Sequence, residues 1–354
     1  VIPAGVIHDV QHNRDLQVSI DYPTHGGPYP VVIFSHEYGA PDNAYVGLSS
    51  FWASHGYVVI RPRHADFGAM RDAQLQPFPV EPVERDRRGG RRGNQPSPQQ
   101  QQARPFRPDP AEEWPSAQKP SDWANRVNDI KLVVDSIPQL LQSYPEIKER
   151  VDTTKIGVGG HSYGGFAAML IGGAQTFAGT TATSYADPRV KAIEAMSPPG
   201  PAAERGLTAQ SFSTIRIPAL FLTGSMDYGA LQSEDPNWRR QAFELSPAGD
   251  KWFVNVMGVG PSAFTGRFGT PEYIPQQQTP AYYPNPGPGG SPAPQPVPQN
   301  QPRNAPGNFR ALGQATTVRT VSLAFWDAYL KGDNTGRTYL NGLLTRSDMQ
   351  AATK

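Results

Sequence analysis

The chain of 354 residues contains no cysteine. That excludes disulfides, thiolate metal sites and cysteine nucleophiles together. It has no apolar run long enough to cross a bilayer, so no membrane span is expected. It also lacks a charge imbalance: 32 Lys and Arg stand against 31 Asp and Glu, a net charge of +1. So small a charge creates no global field to recruit nucleic acid or a membrane surface. There are seven histidines, and none of them follows His161. That last absence carries the most chemical weight.

Proline and glycine are abundant, and two stretches concentrate them. Residues of about 72–120 carry Arg-Arg-Gly-Gly-Arg-Arg and a glutamine run, and residues of about 267–310 are dominated by Pro, Gln, Gly and Asn. Neither shows hydrophobic periodicity, and neither buries enough apolar surface to offset its ordering entropy. Both read as surface inserts in one large α/β domain, either solvated linkers or interaction arms. As arms, Tyr273, Tyr282 and Tyr283 would stack on a protein partner, and the arginines near residue 90 would hold an anionic polymer. The chain opens Val1-Ile2-Pro3 without Met, which is either a trimmed start or a mature form after signal-peptide removal. Together with the inserts, the second reading sets the expectation of a secreted or periplasmic protein.

Outside the inserts, short apolar runs alternate with helical periodicity. Val31–Phe34, Tyr57–Ile60, Lys155–Gly159, Val190–Met196, Ala219–Thr223 and Trp252–Met257 read as strands. Helical segments fall at about Ala44–Ser54, at Val127, Ile130, Val134 and Ile137, and at Val318, Val321, Phe325, Ala328 and Tyr329. Pro138 is placed to close or kink the second, and Gly332 to cap the last. Alternating β and α units predict an α/β fold, a mostly parallel sheet covered on both faces, with an antiparallel edge hairpin before Pro30.

The chemistry centres on Gly160-His161-Ser162-Tyr163-Gly164, a G-x-S-x-G sequence between the strand ending at Gly159 and the helical run Phe166–Leu170. In that context the serine occupies a tight strand-to-helix turn and presents Oγ above the sheet. An acyl transfer also needs two backbone N–H donors for the developing oxyanion. Tyr163 follows the nucleophile, and Tyr38, in Ser35-His36-Glu37-Tyr38-Gly39, is the second candidate. Asp227, after the strand Ala219–Thr223, stands where a triad acid belongs; the alternative is a turn-capping aspartate.

These stretches, with His55-Gly56-Tyr57-Val58-Val59, Asp187-Pro188-Arg189-Val190, Ser197-Pro198, Ile217-Pro218-Ala219 and Phe325–Asp333, resemble the bacterial branch of the platelet-activating-factor acetylhydrolase and dienelactone-hydrolase-like families, within the α/β-hydrolase superfamily. The resemblance implies hydrolysis of small, short-acyl esters by a Ser-His-Asp triad, without metal or organic cofactor. Relatives carry the triad histidine after the last strand, in a segment like Gly-Ala-Asp-His-Met-x-Phe-x-Gly. Here Gly258–Gly266 places Pro261 at that position. The substitute bases open to Ser162 are His64, His36 and Glu37; His161 is expected to turn away into the packing between sheet and helix. Two functions follow: a serine esterase with impaired or altered catalysis, or a non-catalytic pseudohydrolase used for extracellular binding or assembly.

Overall fold

The computed structural model describes residues 2–10, 12–40, 44–66, 120–229, 234–265 and 306–354. Among these, nine strands form one sheet in the order β1-β2-β4-β3-β5-β8-β9-β10-β11. The six central strands are β4 (Val58–Pro62), β3 (Tyr29–Ser35), β5 (Val151–His161), β8 (Val190–Met196), β9 (Ala219–Gly224) and β10 (Lys251–Val256). They run parallel, and their buried stretches are mostly apolar because both faces of a parallel sheet are covered. The expected edge hairpin is β1 (Ile2–Asp9) with β2 (Arg14–Asp21), antiparallel to each other and to β4. β11 (Met349–Thr353) closes the other edge antiparallel to β10. A small exposed hairpin, β6 (Gln175–Ala178) with β7 (Thr181–Ser184), lies outside the main sheet.

The helices divide between the faces. One core packs α2 (Pro120–Gln142), α3 (Tyr163–Ile171) and α4 (Pro236–Glu244) on the sheet through Val127, Ile130, Phe166 and Phe243. The other packs α1 (Val46–Ser54), α5 (Pro306–Trp326) and α6 (Asn334–Leu343) through Trp52, Val318, Phe325, Trp326 and Leu340. α5 passes into a π-turn at Asp327–Lys331, which Gly332 ends in a left-handed conformation (φ 74°), as its position predicts. Pro138 does not close α2; the helix runs one more turn to Gln142. Most of both inserts lies outside the described residues. Their inner boundaries differ from the compositional ones, because Pro120 opens α2 and residues 306–310 belong to α5.

The strand order reverses around β3, whose neighbours are β4 on one side and β5 on the other. Loops leaving the carboxyl ends of strands at such a point diverge and leave a crevice. The loop after β3 and the turn after β5 are the two segments expected to hold the oxyanion donors and the nucleophile.

Candidate active site

Ser162 joins β5 to α3 at φ 54° and ψ −113°, a conformation that side-chain-bearing residues rarely hold unless the surroundings enforce it. Three features enforce it here. The Ser162 N–H donates to the Met196 carbonyl (2.9 Å), and the Ser162 carbonyl accepts the Phe166 N–H (2.9 Å) to start α3. A Cβ on Gly160 would overlap the Gly164 backbone, and one on Gly164 would overlap the Ser35 carbonyl. Strand, helix and the neighbouring β3 therefore approach as closely as they do only because both positions are glycine. The amino end of α3 sits behind the serine and favours negative charge there.

The loop after β3 is fixed peptide by peptide. The His36 carbonyl accepts from Arg126 Nη1, and the Glu37 N–H donates to Tyr45 Oη at 3.2 Å. The Glu37 carbonyl accepts the His36 ring N–H at 2.6 Å and the Ala40 N–H at 3.4 Å. The Gly39 N–H donates to Asp66 Oδ2 at 2.9 Å. Because a trans peptide points its C=O and N–H in opposite directions, drawing the Glu37 carbonyl toward the His36 ring aims the Tyr38 N–H the other way. Tyr38 and Tyr163 both line a cavity of about 290 Å³ that also contains Ser162, Glu37, His161 and Pro261.

Asp227 is completely buried after β9. Its Oδ2 accepts the Thr223 hydroxyl (2.8 Å). Its Oδ1 makes no hydrogen bond but faces Arg239 Nη2 at 3.2 Å. Arg239, buried on α4, also donates through Nε to the Asp227 carbonyl (2.9 Å) and through Nη1 to the Ser197 carbonyl (2.9 Å). A guanidinium thus faces the open oxygen of the carboxylate, and Arg239 lines the cavity with Ser162 whereas Asp227 lies behind it. Sequence reasoning missed Arg239; its only trace is a cation three and four residues before the buried Ala242 and Phe243.

The structure separates the three substitute bases. His64 and His36 do not line the cavity. His64 is buried, with Nδ1 2.7 Å from Asp129 Oδ2 and Nε2 2.9 Å from Ser35 Oγ, so its partner serine is Ser35 rather than Ser162. His36 donates from Nδ1 to the Glu37 carbonyl and accepts the His64 N–H at Nε2 (3.2 Å). Burial first, then the nearby positive charge of Arg126, holds both imidazoles below their ordinary pKa. Glu37 lines the cavity. Its Oε2 lies 3.6 Å from Nδ1 of His161, and burial together with Arg239 pushes His161 down to about 3. That ring is neutral at ordinary pH, so the contact is polar and not ionic. His161 packs against Tyr45 and Phe264, with Nδ1 2.7 Å from Tyr45 Oη, but it does not turn wholly away from the site. Its buried Nε2 has no partner, and the residue also lines the cavity. Among the described residues no cluster of His, Cys, Asp and Glu could hold a metal ion.

Residues 6–191 match the family model of platelet-activating factor acetylhydrolase, isoform II. The chain belongs to this family. The match spans more than half of the chain and takes in the loop after β3, α2 and the Ser162 turn; Asp227, Arg239 and Pro261 lie beyond it. The α/β-hydrolase fold described above is the fold of this acetylhydrolase-like family. No curated protein matches the chain.

Proposed function

We propose that the protein is a serine ester hydrolase in which Ser162 binds and attacks short-acyl esters slowly, because its proton has no efficient acceptor. The supporting observation is the Asp227–Arg239 pair. In a working triad the acid orients an imidazole, and the imidazole takes the serine proton and returns it to the leaving group. Here the acid's open oxygen faces a guanidinium, which accepts no proton. Pro261 occupies the loop from which the base would come. Among the described residues, the imidazole on the cavity wall is His161, a weak base held neutral by burial. Ser162 and the N–H groups of Tyr38 and Tyr163 still support attack and oxyanion binding, and ester chemistry of this kind calls for no cofactor.

The test is turnover of p-nitrophenyl acetate by the wild type against Ser162→Ala. Oxyanion binding and positioning without a base leave roughly a 10³–10⁴-fold advantage over water, so a small serine-dependent rate is expected. A wild-type kcat in the ordinary enzymatic range of about 1–10³ s⁻¹, abolished by Ser162→Ala, would refute the impairment. A second reading, a binding scaffold without turnover, is favoured by the exposure of Tyr228 at the cavity wall and of Met226 beside Asp227, since apolar surface at a mouth suits a partner. Equal rates in wild type and Ser162→Ala would select it.

A further inference from the structure

Behind the loop after β3 lies a buried polar network that the reaction above does not use. Ser35, His64 and Asp129 stand in the order of a catalytic relay: Ser35 Oγ to His64 Nε2 at 2.9 Å, and His64 Nδ1 to Asp129 Oδ2 at 2.7 Å. A ring nitrogen facing a carboxylate carries the hydrogen, so Nε2 accepts the Ser35 hydroxyl. Arg14 holds the other oxygen of Asp129. Ser35, His64 and Asp129 are only 0, 3 and 2% exposed, so no ester reaches this serine. The relay works as a brace, and it ends on Arg126.

Arg126 itself is 2% exposed. Its Nη1 donates to Ser35 Oγ (3.2 Å) and to the His36 carbonyl. Its Nη2 donates to both oxygens of Asp66 (2.7 and 2.6 Å), and Asp66 in turn accepts the Gly39 N–H. The guanidinium carbon lies 4.2 Å from the centre of the Tyr163 ring. One planar cation therefore fixes the peptide before the one that carries the Tyr38 N–H, holds through Asp66 the peptide after it, and packs on the side chain of the residue that follows the nucleophile. We propose that Arg126 is a positioning residue for the oxyanion site, setting the Tyr38 and Tyr163 N–H groups relative to each other and to Ser162. This rests on the serine-hydrolase reading above. A fork is needed because lysine, as a point charge, cannot span the His36 carbonyl and Asp66 at once while lying flat on an aromatic ring.

The experiment compares wild type, Arg126→Ala and Arg126→Lys on p-nitrophenyl acetate, with and without added methylguanidinium, and follows amide hydrogen exchange of residues 36–39 in the same samples. Misplacing one oxyanion donor costs about 10²-fold in kcat. The expected result is a loss of that order in Arg126→Ala with little change in KM, partial recovery in Arg126→Lys, recovery with methylguanidinium, and faster exchange in the loop. A folded Arg126→Ala that keeps its kcat, or loses activity only through KM, overturns the proposal. If Arg126→Ala does not fold, Arg126→Lys decides: full wild-type kcat with unchanged exchange overturns it. If the wild type is no faster than Ser162→Ala, the hydrolase reading falls on its own, and exchange then decides for Arg126: unchanged protection at residues 36–39 overturns its role.

Discussion

Glu194 stands in the middle of β8, fully buried between the sheet and α5. One carboxyl oxygen accepts the Ser322 hydroxyl at 2.7 Å, and the indole N–H of Trp326 also bears on the carboxyl. Burial raises its pKa to about 8, against an ordinary value of 4.5, despite the opposing hydrogen bonds from Ser322 and Trp326. The carboxyl is therefore protonated in the native state at neutral pH and ionised in the unfolded chain. Between those two values the native state binds more protons than the unfolded state, so stability falls as pH rises. The loss begins near pH 4.5, amounts to about 1.4 kcal/mol for each pH unit, and levels off above pH 8. By pH 7 it reaches about 3 kcal/mol, a large part of the 5–15 kcal/mol that a domain has in total. Glu194→Gln removes the titration while preserving shape and the acceptor for Ser322. Urea unfolding of both proteins from pH 5 to 9 isolates the effect, because all other titrating groups cancel in the difference. The Gln variant gains on the wild type steadily up to about pH 8 and then runs parallel to it. A difference independent of pH, or one that shrinks as pH rises, would show that Glu194 is ionised in its site.

Other substitutions test the site directly. Pro261→His alone gives little added p-nitrophenyl acetate turnover, because Arg239 faces Asp227; combining it with Arg239→Gln raises kcat by at least about tenfold, and equal rates for the single and double variants would remove Arg239 from the explanation. Adding Glu37→Gly to that pair raises turnover further by withdrawing a carboxylate from beside the oxyanion, as kcat read at fixed pH will show. Gly164→Ala drives a Cβ into the Ser35 carbonyl and leaves little folded protein, judged by yield and circular dichroism. Ser162→Gly relieves the positive φ at the turn and stabilises by about 1 kcal/mol, seen as a higher urea midpoint at unchanged slope.

The parallel strands were legible because burial on both faces leaves them as plain apolar runs, and the Ser162 turn because its glycines are required by backbone contact. β7 was not: Thr181-Ala182-Thr183-Ser184 is exposed throughout and carries no hydrophobic pattern. β11 takes its form from pairing with β10, which Met-Gln-Ala-Ala-Thr does not announce. The buried charges were the other blind spot. Arg126 and Asp129 interrupt the apolar stripe of α2 formed by Trp123, Val127, Ile130 and Val133. A charge on such a stripe signals a buried partner, but the partners, Ser35, His36, His64 and Asp66, lie 60 to 91 residues away in the chain. The neighbours of His64 were hidden in the same way: Ser35 and Asp129 lie 29 and 65 residues from it in the chain, and only the tertiary arrangement joins them.

The placement of antiparallel strands at both margins of the sheet bears on how the protein behaves at high concentration. An outer strand is a template on which another molecule can add its own backbone, and long regular margins lead to aggregation. On one side β11 covers β10 with only five residues. On the other, the register of β1 against β2 slips between Ile2 and Gly5, and Pro3 has no N–H to offer an incoming strand. The smooth part of that margin, near Val6 and His8, carries a polar pair, His8 with Asp15, beside the exposed Val6. Loss of residues 349–353 would turn β10, an apolar strand built for the interior, into a margin, and the material would be lost to insoluble assemblies before any defect at Ser162 could be measured.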